Sequence, residues 1–69
     1  MRQWLFDIRK KRNFTMAEVA EQSNISESYY SMIENGVRNL PVSTAKKIAS
    51  VLGFDWVQFY NDEPKAANR

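Results

Sequence analysis

With 69 residues the chain has room for one domain and a small core. It holds no cysteine and no histidine, which excludes disulfides, thiolate metal sites, a thiol nucleophile and the usual general base. Two glycines cannot build a phosphate-cradling loop, and a net charge of +2 is by itself a weak sign of a polyanionic partner.

The first predicted helix runs from about Arg2 to Arg12, with Leu5 and Ile8 on one face. Its last turn gathers Arg9, Lys10, Lys11 and Arg12, where cations suit the negative end of the helix dipole. Asn13 breaks it. These charges follow the apolar residues of MRQWLFDIRKKRN, the reverse of a secretory signal, and no apolar run nears the roughly 20 residues that span a bilayer. The expected location is the cytoplasm.

Thr15-Met16-Ala17-Glu18 has the spacing of a capping box, so a second helix is expected from Met16 to about Ser23, burying Val19 and Ala20. A short turn, Ser23-Asn24-Ile25-Ser26, leads to a third helix over Glu27 to Asn35 with Ser26 as its N-cap. Tyr30 and Ile33 face inward, and Gly36 follows at the C′ position. Two short helices joined this way form a helix-turn-helix over residues 15–35, a unit that places its second helix in the major groove of DNA.

After a loop from Val37 to Leu40, a fourth helix starts between Pro41 and Ser43. Ala45, Ile48, Ala49 and Leu52 give it helical periodicity, and Gly53 ends it. Asp55 caps a last short helix, Trp56 to Tyr60, and a polar tail follows over residues 61–69. Nothing alternates with a period of two. The expected architecture is a compact all-α, five-helix domain over residues 1–60.

The third helix raises a question, because it holds Glu27 and Glu34 but no Lys or Arg. Phosphate contacts supply affinity and base edges supply sequence choice, so a reading helix need not be basic. Backbone N–H groups at the starts of helices two and three, that of Met16 among them, can meet phosphate, as can the hydroxyls of Thr15, Ser26 and Tyr29. The block GFDWVQFY holds four aromatics, more than so small a body hides completely. Part of Trp56 and Tyr60 is therefore assigned to a homodimer contact.

The blocks L-x-x-I-R, T-x-x-E-V-A, N-I-S, S-Y-Y-S-M-I-E-N-G and T-A-K-K-I-A-x-x-L-G stand in that order between Leu5 and Gly53. Together they resemble the Cro and lambda-repressor type of helix-turn-helix regulator over Leu5 to Tyr60. The resemblance implies a lambda-repressor-like domain that docks on double-stranded DNA as a two-fold dimer at an inverted repeat. It implies a structural pair between Arg9 and Glu34, which would turn Glu34 inward. It also implies base reading by Glu27, Ser28 and Met32, and a backbone-following loop at Asn35, Arg38 and Asn39. Two positions depart from the family: Met16 replaces a glutamine that anchors phosphate, and Glu27 stands where relatives often have arginine. No catalytic residue, metal, cofactor or small-molecule ligand is expected. The competing reading is a protein-interaction module, an anti-repressor or adaptor, built on the same body.

Overall fold

The computed structural model describes residues 1–36 and 39–61. Five helices follow in chain order: α1 (Gln3–Lys11), α2 (Met16–Gln22), α3 (Glu27–Glu34), α4 (Val42–Leu52) and α5 (Gln58–Asn61). Arg38 and most of the tail expected over residues 61–69 lie outside the described residues.

Local chemistry sets most of the boundaries. The Thr15 Oγ1 accepts from the Glu18 N–H at 3.1 Å, and the Glu18 carboxylate accepts from the Thr15 N–H at 2.8 Å, so both arms of the capping box close. Ser26 caps α3 by accepting from the Tyr29 N–H at 3.0 Å. Asn13 and Asn24 both adopt a left-handed φ of 62°, which ends the segment before each helix start. Gly53 closes α4 at φ +78°, and a Cβ there would sit 2.9 Å from the Arg12 guanidinium.

Several ends differ from the sequence expectation by one or two residues. Arg2 is non-helical because its N–H donates to the Glu34 carbonyl at 2.7 Å, so α1 starts at Gln3. Asn35 is the C-cap of α3 and not its last helical residue. The last helix starts at Gln58 because the Asp55 carboxylate accepts from the Val57 N–H at 3.2 Å, forming a turn that holds Trp56 outside the helix.

Inside the body, Leu5, Val19, Tyr30, Ile33, Ala45, Ile48, Leu52 and Phe59 are wholly buried. They come from all five helices, so the helix-turn-helix pair is held by one shared core. Ile25 packs against that core from the turn, and its N–H donates to the Ala20 carbonyl at 2.9 Å.

Candidate nucleic-acid interface

The helical period sorts α3 into two sides. Tyr30, Ile33 and Glu34 are buried, while Glu27, Ser28 and Met32 are exposed. The exposed side meets the start of α2 across an open hollow lined by Met16, Glu27, Ser28, Ser31 and Met32. None of these five is basic. Both capping residues, Thr15 and Ser26, lie at the surface.

Other residues assigned to DNA are placed less uniformly. Tyr29 is half-buried and packs against the core. Asn35 is exposed, but its Nδ2 donates to the Ser31 carbonyl at 2.9 Å, which folds its amide back onto α3. Asn39 is exposed beyond the turn. Arg12 leans on the end of α4 at Gly53, so the basic run of α1 does not form one continuous surface.

Behind the exposed side of α3 lies a buried polar cluster. The Arg9 Nε donates to Glu34 Oε1 at 2.8 Å and its Nη2 to Oε2 at 3.1 Å, a two-pronged pairing. The Arg9 Nη1 donates to the Phe14 carbonyl at 2.9 Å, and the Tyr30 hydroxyl donates to Glu34 Oε1 at 2.7 Å. Glu34 is fully buried, and this cluster ties α1 to the far end of α3. It also answers why an acid sits at the end of that helix: Glu34 points away from the surface.

Sequence reasoning missed two members of this region. Tyr30 was read only as core, although Tyr30 and Glu34 stand four residues apart on one helix face. Arg2 gave no signal of its own. Its guanidinium donates to the Ile33 carbonyl and lies 5.5 Å from the Phe59 ring centre, so it serves the unsatisfied C-terminal carbonyls of α3.

Burial, then the bond to Glu34, pushes the Tyr30 phenol well above its ordinary pKa. The hydrogen bond to Glu34 likewise raises Arg9. A raised phenol contributes stability that is complete below the unfolded pKa of about 10 and declines as pH climbs above it. Alkaline titration of the urea midpoint should therefore show a fall above about pH 10 that Tyr30→Phe makes shallower. Parallel falls in parent and variant would show that Tyr30 is not the group responsible.

The pattern of the whole chain decides its kinship. Residues 5–59 match the helix-turn-helix family model. The chain belongs to the helix-turn-helix family. This helix-turn-helix protein is 48% identical over 62 residues to an uncharacterized HTH-type transcriptional regulator, YqaF, of Bacillus subtilis (strain 168), covering 90% of the chain and 82% of that relative. It is 41% identical over 46 residues to the immunity repressor protein of Bacillus phage phi105, covering 67% of the chain but 32% of that repressor. Control protein C.MunI of Mycoplasma sp is 32% identical over 57 residues, with 83% and 77% covered. No solved structure matches the chain. Among the described residues no helix is long and apolar enough to cross a membrane, and no group of three or more His, Cys, Asp or Glu could hold a metal.

Proposed function

We propose that this helix-turn-helix transcriptional regulator is a repressor that docks α3 in the major groove of an inverted-repeat operator. Glu27, Ser28 and Met32 read base edges. Thr15, Ser26, Tyr29, Asn35, Arg38, Asn39 and the Met16 backbone N–H hold the sugar-phosphate chains. The observation that carries this is the pairing of two capped helix starts beside the exposed Glu27 and Ser28 of α3. A helix start aims free N–H groups outward, which suits phosphate oxygens.

The working form is a homodimer, formed at least on DNA, in the cytoplasm. Val57 and Tyr60 are exposed apolar residues at the last helix, and the Tyr60 hydroxyl donates to the Leu40 carbonyl at 3.0 Å. Trp56 packs edge-on to Tyr60 with ring centres 5.9 Å apart. Apolar surface of this kind supports a contact between copies. Two reading helices then meet successive major grooves, about 34–36 Å apart.

Repressor-like docking makes affinity fall steeply with salt, because each phosphate contact releases counterions. Glu27→Ala should lower the preference for the cognate site over scrambled duplex by about 1–3 kcal/mol, since it removes one base contact. Its salt slope should match the parent's. Competition binding at two salt concentrations reads both quantities. An unchanged cognate-to-scrambled ratio would remove Glu27 from the reading set.

Among the described residues no cation lines the hollow, which favours one rival, a face turned toward a protein partner. Binding to duplex without a salt dependence, or no binding to any duplex, would support that rival.

A further inference from the structure

The hollow between α2 and α3 holds a chemistry that phosphate contacts do not use. Met16 starts α2 and Met32 lies near the end of α3, yet their thioether side chains line the same opening, with Ser28 and Ser31 beside them. Met16 is half-buried against the core, while Met32 is 36% exposed. Glu27, exposed and fully within reach of solvent, contributes the one charge of the lining.

Each feature excludes something. A carboxylate repels phosphate, so the hollow is not a backbone-holding site. It equally opposes the O6 and N7 of guanine, both acceptors, and accepts from the N4 amine of cytosine. Thioethers are polarizable, carry no donor and adapt their shape to small apolar groups. The apolar group that the major groove offers is the C5-methyl of thymine.

We infer that Met16 and Met32 form a slot for a thymine methyl, and that Glu27 accepts from the amine of a neighbouring cytosine. The operator half-site thus carries a thymine–cytosine pair of neighbours under the start of α3. Met16 becomes a specificity residue through its side chain, beyond any phosphate contact by its backbone. This specificity rests on the docking of α3 proposed above. A protein side chain in the same hollow would make no distinction between thymine and uracil.

The test starts from a cognate duplex selected from random sequences with the full chain. Each thymine of one half-site is replaced in turn by deoxyuridine, which deletes a single methyl and leaves base pairing intact. Dissociation constants are measured at one salt concentration for the parent, Met32→Ala and Met16→Ala. Burying one methyl corresponds to about a four-fold change in affinity. One thymine per half-site should therefore cost the parent about four-fold, and that cost should vanish in Met32→Ala and shrink in Met16→Ala. Exchanging the neighbouring C·G pair for G·C should weaken the parent about ten-fold or more, and Glu27→Gln by less. Met32 is surface-exposed, so its variant keeps the fold even where Met16→Ala does not. Specific, salt-dependent binding with every thymine indifferent to uracil would overturn the slot and leave the docking intact. A uracil cost that persists undiminished in Met32→Ala would overturn it as well. Failure to bind any duplex would overturn both.

Discussion

Replacing Glu34 by alanine is expected to lower the unfolding free energy by about 3–5 kcal/mol, the usual cost of stranding one partner of a buried ion pair. For a chain of this length, total stability is on the order of 3–10 kcal/mol, so the variant should lose a large share of it. The reason is the number of groups that converge on one carboxylate. Two nitrogens of Arg9 and the Tyr30 hydroxyl all donate to it. Without it the guanidinium keeps its bond to the Phe14 carbonyl but loses its counter-charge in a site that is 6% exposed. Glu34→Gln keeps an acceptor for Tyr30 and should fall between the two. An Arg9→Met, Glu34→Leu double variant removes both charges and should recover most of the loss, because apolar replacements of buried pairs are often neutral. Urea midpoints of the four proteins decide the matter. A Glu34→Ala midpoint equal to the parent's would show that the cluster does not hold α1 to α3.

That cluster also shows where sequence reasoning reached and where it stopped. The helix starts were legible because their signals are local: Thr15 and Glu18 stand three residues apart, and Ser26 stands three before Tyr29. Gly53 was legible because α4 ends in a left-handed residue. The start of α5 was not, since Asp55 caps equally well a helix or the turn it forms with Val57. Arg2 was illegible for another reason. Its partners are the carbonyls of Ile33 and Glu34, more than thirty positions away, and nothing in a side-chain pattern advertises an unsatisfied carbonyl.

The interface divides in the same manner. The period of 3.6 residues separates exposed Glu27, Ser28 and Met32 from buried Tyr30, Ile33 and Glu34, so the exposed side follows from α3 alone. Met16 could not be placed this way. In sequence it is the residue after a cap, with a backbone N–H to offer and a side chain that donates nothing. Its neighbourhood with Met32 exists only because α2 crosses α3, a relation that depends on the packing of Val19, Ala20 and Ile25. The basic run at the end of α1 divides as well: Arg9 turns inward to Glu34, as the resemblance implies, and Arg12 turns to Gly53.

Phe59→Ala should cost a comparable amount, about 3–5 kcal/mol, and should also separate the fold from the proposed dimer contact. Of the four residues in α5, Phe59 is the buried one. A four-residue helix has too few internal bonds to persist alone, so its place depends on that one ring. Phe59 meets Trp4 at 5.2 Å and Phe54 at 5.6 Å between ring centres, and Trp4 meets Phe54 at 5.3 Å, closing a three-ring cluster between α1 and the last turn. Truncating the ring opens a cavity at the centre of this cluster and exposes the face over which the Arg2 guanidinium lies. Because Arg2 also bonds the end of α3, the damage should reach that helix from behind. Tyr60→Ala, by contrast, removes a partly exposed ring and one bond to the Leu40 carbonyl, and should cost about 1–2 kcal/mol of stability. If α5 carries the homodimer contact, both variants weaken self-association, measured by sedimentation on operator duplex in a stabilising osmolyte. A Phe59→Ala protein that is less stable yet still binds an inverted repeat as a dimer would move the contact away from Trp56 and Tyr60.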